Sequence, residues 1–142
     1  MSVLELPAKA RSARLALTRQ ASWVQLGKFC AVGGSGYVVN LAVYTLLLSA
    51  GFGILPSAVG AFLAAVGNNY TLNRRWTFRA TGSVVEQGFR YLAVSCAGLV
   101  ANLALLWGIV TAGGGRIAAQ AAAIVLVTPL SFLGNKLWSF VR

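Results

Sequence analysis

Charged positions are so sparse along this chain that the intervals between them outline its architecture. No Lys, Arg, Asp or Glu occurs between Lys28 and Arg74, between Arg90 and Arg116, or between Arg116 and Lys136. A membrane-spanning helix takes about 20 mostly apolar residues, so the first interval holds two such helices and the others one each. Gly and Pro in "SAGFGILP" (49–56) and "TAGGGR" (111–116) interrupt the apolar runs. The pattern therefore predicts an all-α membrane protein with helices over 29–48, 57–73, 91–110 and 117–137. The polar stretch 74–90, "RRWTFRATGSVVEQGFR", separates two helical hairpins.

Composition agrees with the pattern. The 142 residues are 58% hydrophobic and only 10% charged, against about 25% charged in soluble domains. Of the twelve basic residues, Lys9, Arg11, Arg14, Arg19 and Lys28 precede the first helix. Arg74, Arg75, Arg79 and Arg90 lie in the middle stretch, Lys136 and Arg142 close the chain, and Arg116 alone lies on the other side. The positive-inside rule then places both termini and the middle loop in the cytoplasm, in a multi-pass cytoplasmic (inner) membrane protein. A net charge of +10 is accounted for by topology and by anionic lipid headgroups, so no nucleic-acid partner is expected.

Residues 1–27 form a basic segment ahead of the membrane domain, 28–142. They hold no apolar core of signal-peptide length, so a cleaved leader is not expected. Ala13, Leu17, Ala21 and Val24 recur at helical spacing, which leaves two readings: a weakly amphipathic surface helix or a disordered tail.

Shifting the chain by 62 residues aligns it with itself without a gap. Asn73, Trp76 and Phe78 fall on Asn135, Trp138 and Phe140, and Arg74 on Lys136. Gly36, Asn40 and Leu41 fall on Gly98, Asn102 and Leu103, and Lys28 on Arg90. The expected origin is a duplicated hairpin, with repeats at about 28–78 and 90–140. Two crossings per unit make the repeats parallel, related by an axis along the membrane normal.

Several features point to a site. Gly67 and Pro129 correspond under the shift and are expected to break helices 2 and 4; two readings stand, paired interruptions of the kind found at transporter substrate sites or kinks that serve packing. Asn40, Asn68, Asn69 and Asn102 place amides in the spans, where interhelical hydrogen bonding is the competing role. Lys28 and Arg90 at the starts of helices 1 and 3, with Arg74, Arg75 and Lys136 at the ends of helices 2 and 4, form a cationic rim suited to a phosphate. "GGSG" (33–36) is expected to serve close helix packing, and Cys30 and Cys96 to be small apolar fillers.

Absences narrow the function. The acidic residues are Glu5 and Glu86 and there is no His, so an intramembrane carboxylate for proton-coupled cation export is missing. No catalytic set or metal cluster can be assembled, so neither an enzyme nor a cofactor is expected.

"KFCAVGGSGYVVNLAVYTLLL" and "NNYTLNRRWTF" together resemble the GtrA-like family of small four-helix membrane proteins, from about Lys28 to Phe140. Tyr70 stands where family members often have Phe. The resemblance implies flipping of a polyprenyl-phosphate-linked sugar from the cytoplasmic leaflet, for cell-surface polysaccharide synthesis or glycan modification. The phosphate would then meet Arg74, Arg75, Lys28, Arg90 and Lys136. The sugar would meet Asn40, Asn68, Asn69 and Asn102, with Asn73, Asn135 and Trp76 nearby. Small-residue faces, Gly60, Ala64 and Ala65 or Ala118, Ala119, Ala122 and Ala123, suggest a homo-oligomer. The alternative is a non-transporting adaptor that recruits a membrane glycosyltransferase through residues 1–27 or 79–88.

Overall fold

The computed structural model describes the backbone of residues 8–141 and the side chains of residues 18–141. Four helices make up the fold: α1 (Ala8–Ser49), α2 (Ile54–Leu72), α3 (Val84–Thr111) and α4 (Arg116–Gly134). No strand occurs among the described residues. α1 packs chiefly on α2 and α3 on α4, giving two antiparallel hairpins that lie side by side.

α1 starts well before the predicted helix, and no break separates residues 8–27 from the span. The cause is local: after Pro7 the sequence to Leu26 contains no Gly or Pro and is rich in Ala, Leu, Arg and Gln, all good helix formers. Its 42 residues make a rod of about 63 Å, roughly twice the ~30 Å hydrocarbon thickness of a bilayer. Part of α1 must therefore project from the membrane. The part of the extension before Thr18 is described as backbone alone, so its amphipathicity lies outside the described side chains.

Among the described residues, three segments are long and apolar enough to cross a membrane: Thr18–Ser49, Val84–Thr111 and Arg116–Ser139. Pro56, Asn68 and Asn69 dilute α2, which does not reach that standard on its own. The outer faces are paved with exposed large apolar side chains, including Val100, Trp107, Val125 and Leu130, as a lipid-facing surface requires.

The two hairpin turns are superposable in detail. Gly51 and Gly113 take φ of 90° and 95°, the left-handed region that side chains other than Gly avoid. Phe52 N–H donates to the Leu47 carbonyl at 3.1 Å and Gly114 N–H to that of Ile109 at 2.9 Å. Inside each hairpin one glycine admits the facing helix. A Cβ on Gly36 would lie 2.2 Å from Asn69 Oδ1, and one on Gly98 would lie 2.9 Å from Ser131 Oγ.

The expectation of breaks at Gly67 and Pro129 is corrected, because α2 and α4 run on through both residues. Proline removes one N–H, but leaving the helix in hydrocarbon would expose more backbone, so the helix continues. The irregularities lie six residues further on, where Asn73–Thr77 and Asn135–Ser139 form π-helical turns. Phe78 N–H donates to the Asn73 carbonyl at 2.8 Å and Phe140 N–H to that of Asn135 at 2.9 Å, an i to i+5 bond in each. Such turns concentrate at functional positions. "GGSG" divides: Gly36 packs tightly, whereas a Cβ on Gly33 or Gly34 would meet nothing within 4 Å.

Candidate functional site

The π turns lie at the basic end of the bundle and set its rim. Trp76 and Trp138 project from them, and each receives the cation that begins its own hairpin. Lys28 Nζ lies 5.2 Å from the Trp76 ring centre, and the Arg90 guanidinium 6.0 Å from that of Trp138, both within cation–π range. Arg90 also donates to the Trp138 carbonyl at 3.2 Å and pairs with Glu86 one turn before it. Lys136 Nζ donates to Ser22 Oγ at 2.8 Å, tying the end of α4 to α1.

The two adjacent arginines have different roles. Arg74 Nε donates to Gln87 Oε1 at 3.0 Å and Arg74 Nη2 to the Gly82 carbonyl at 2.9 Å, so it folds the middle loop back onto α3. Gln87, itself buried, donates onward to the Thr81 carbonyl at 2.9 Å. Arg75 is exposed and has no hydrogen-bond, ion-pair or ring partner among the described residues. Arg74→Ala should therefore speed proteolysis in residues 79–83 roughly tenfold, as expected for losing two charge-assisted bonds. Arg75→Ala should leave that rate unchanged, and equal cleavage of both variants would remove the distinction.

Behind the rim six aromatic rings close on one another. Phe29, Tyr70 and Phe78 correspond under the shift to Tyr91, Phe132 and Phe140. Phe78 and Phe140 stack across the boundary between hairpins with ring centres 4.9 Å apart. Phe29 meets Phe132 at 5.7 Å, and Tyr70 meets Tyr91 at 5.6 Å. These contacts add geometric preference to apolar burial and hold the hairpins together at this end.

A polar cavity of about 230 Å³ opens among the four helices, with Phe29 and Tyr91 in its wall. Its amides are Asn69, Asn73, Asn102 and Asn135, and its hydroxyls include Ser95, Thr128 and Ser131. The lining pairs off under the shift, Asn73 with Asn135, Asn69 with Ser131 and Gly33 with Ser95. The cavity thus lies between two equivalent half-sites.

The half-sites also differ around their paired asparagines. Asn73 is 1% exposed; it donates to the Tyr91 hydroxyl at 3.0 Å and accepts from Thr77 Oγ1 at 2.8 Å. Asn135 would meet Phe29 in the corresponding place, which has no hydroxyl. It donates instead to the Ser131 carbonyl of its own helix at 2.9 Å. Its Oδ1 is buried with no protein partner, and an orphaned buried acceptor is uncommon and costly. Ser139 Oγ, which corresponds to Thr77 under the shift, is likewise buried with no protein partner, so the counterpart of the Thr77–Asn73 bond is missing here.

Of the predicted sugar contacts, Asn69, Asn73, Asn102 and Asn135 line this cavity and Asn40 and Asn68 do not. Asn68 donates to Ser35 Oγ at 3.1 Å and so joins α2 to α1. Trp76 sits on the rim under Lys28, away from the cavity. The sequence reading missed Tyr91, Ser95, Thr128 and Ser131. Their signal was a polar or small residue recurring every three or four positions along α3 and α4, one face of each helix.

The model of the GtrA/DPMS transmembrane domain matches residues 28–140, a span that begins at Lys28 and takes in the whole rim and cavity. The chain belongs to this family. It is also similar to the uncharacterized membrane protein YngA of Bacillus subtilis (strain 168), with 29% identity over 119 residues that cover 81% of this chain and 78% of YngA. Membership in GtrA/DPMS associates this multi-pass membrane protein with processes that use glycosyl carrier lipids.

Proposed function

We propose that this GtrA/DPMS protein moves a polyprenyl-phosphate-linked sugar across the cytoplasmic membrane, for cell-surface polysaccharide synthesis or glycan modification, without chemical change to the lipid. The observation that carries this reading is the polar cavity between the hairpins, with the unpartnered Asn135 acceptor in its wall. Carrying hydroxyls through hydrocarbon without partners costs several kcal/mol per group. Four amides and three hydroxyls along the route lower that cost. Its volume is below the roughly 300–1,000 Å³ of drug-sized sites, which suits a single headgroup rather than a long glycan.

The rest of the reading follows from charge and symmetry. Among the described residues, Arg75 is a rim cation without a protein partner, and Lys28, Arg90 and Lys136 are held by contacts that a phosphate could displace. Arg74 acts by holding the loop that carries the rim. The matched turns and π turns at a shift of 62 residues support a duplicated hairpin with parallel repeats. α2 crosses as the fourth span because it runs the length of its hairpin against α1, which leaves both termini on the basic, cytoplasmic side. Anionic lipids neutralise the remaining rim charge, and the exposed Ala118 and Ala122 offer a packing face for a second copy.

One observation favours the adaptor as a second reading. The projecting start of α1 bears Trp23, 69% exposed, a possible seat for a glycosyltransferase. The two readings part in cells depleted of the protein and complemented with variants. Translocation requires the lipid-linked sugar to accumulate out of reach of an external, membrane-impermeant reagent, and Asn69→Leu to fail to restore access. If Asn69→Leu complements fully while deletion of residues 1–27 does not, the adaptor reading holds instead.

A further inference from the structure

The polar cavity shares part of its wall with a more apolar groove. Phe29, Gly33, Ile124 and Thr128 in the cavity wall also line this groove of about 650 Å³ between α1 and α4. The groove continues along Leu26, Cys30, Gly34, Tyr37, Val125 and Pro129. Because a Cβ on Gly33 or Gly34 would meet nothing within 4 Å, these glycines leave open space instead of admitting a neighbouring helix. Under the shift, Gly33, Gly34 and Thr128 correspond to Ser95, Cys96 and Val66, so the opposite flank of the bundle carries different residues. At the basic end, one helical turn before Leu26 on α1, Lys136 Nζ donates to Ser22 Oγ at 2.8 Å.

From Leu26 to Tyr37 the groove follows α1 for about 16 Å. It therefore has a cation one helical turn beyond its basic end, an apolar length, and a polar chamber on the other side of a shared wall. We propose that this groove seats the isoprenoid chain of a polyprenyl phosphate, with the phosphate at Lys136 and the sugar turned past Gly33 and Thr128 into the cavity. This deepens the translocation reading and rests on it. One groove with one cation beyond its end and one chamber beside it fits a lipid of one chain and one headgroup. A two-chain phospholipid would leave its second chain outside. The remainder of the isoprenoid extends into the bilayer.

The test uses the full chain in liposomes of phosphatidylethanolamine and phosphatidylglycerol, with a polyprenyl phosphate carrying a diazirine on its isoprenoid chain. Photoadducts are expected in peptides spanning 26–37 and 124–129. A large excess of unlabelled polyprenyl phosphate should reduce them roughly tenfold by mass action, while the same excess of phosphatidylglycerol leaves them unchanged. Gly34→Leu, which points into open space, should reduce them similarly while helical content and elution stay those of the parent. Adducts spread over Val100 and Trp107, or equal competition by phosphatidylglycerol, would overturn the assignment.

The native cysteines provide a readout that needs no folded variant. Cys30 lies in the groove and Cys96 does not, and both are exposed and free. Polyprenyl phosphate should slow alkylation of Cys30 by a membrane-soluble maleimide relative to Cys96, and equal slowing contradicts the groove. Leaflet exchange without groove labelling overturns the groove and leaves translocation standing. Groove labelling without exchange does the reverse.

Discussion

Gly36→Val should give a protein that inserts in the membrane, unfolds more readily and exchanges lipid at least roughly tenfold more slowly, a loss of about 1.4 kcal/mol in the rate-limiting step. The first added carbon would lie 2.2 Å from Asn69 Oδ1 and 2.6 Å from its Cγ, so the whole amide must move. The amide can only leave by entering the cavity or by parting α1 from α2. Overpacking of this kind costs about 1–3 kcal/mol, read as a lower melting temperature in detergent. Gly34→Ala provides the control, since its side chain meets nothing within 4 Å. It should stabilise α1 by about 0.5–1 kcal/mol. Equal melting temperatures for Gly36→Val and its parent would mean that the close approach of α1 and α2 is not what positions Asn69.

The second large effect separates the two half-sites. Asn73→Leu removes a bond to Tyr91 and a bond from Thr77, and strands both hydroxyls in a buried place. Interhelical hydrogen bonds in membranes contribute about 0.6 kcal/mol on average and up to about 1.7, and the stranded groups add to the loss. A destabilisation of about 1–3 kcal/mol is expected, together with loss of exchange. Asn135→Leu removes an acceptor that has no protein partner and one bond within its own helix. It should leave the melting temperature unchanged or raise it, yet slow exchange by a similar factor. If Asn135→Leu exchanges lipid at the parent rate, the unpartnered acceptor does not meet the substrate.

What was legible in the sequence follows from how far along the chain each feature extends. Helix number and hairpin pairing depend on long uncharged intervals and on Gly-containing turns, and both turns form where the glycines of "SAGFGILP" and "TAGGGR" stand. The repeated Asn-basic-x-Trp-x-Phe pattern marked the two π turns, although no pattern of hydrophobicity reveals an i to i+5 bond. Gly67 and Pro129 misled because local helix weakness was weighed without the cost of exposing backbone to lipid. Arg74 and Arg75 looked alike in sequence. Only the loop folding back to bring Gln87 and Gly82 to Arg74 tells them apart. The cavity was half legible: its amides stood out against apolar neighbours, while Ser95, Thr128 and Ser131 are small enough to pass for packing residues. The α1–α4 groove was not legible, since "GGSG" reads as a close-packing motif until Gly33 and Gly34 are seen to face open space.

The most direct measurement of the central claim is leaflet exchange by the purified chain. A labelled polyprenyl-phosphate sugar is reconstituted in liposomes and probed with a membrane-impermeant reagent that modifies the exposed sugar. Without protein, about half the lipid should stay protected, because the inner leaflet is sealed by the cost of moving a polar headgroup through hydrocarbon. With the protein, the protected half should become reactive, and Asn69→Leu should restore protection. A protected half that persists in the presence of folded protein, with several sugars tried, would contradict translocation and leave the adaptor.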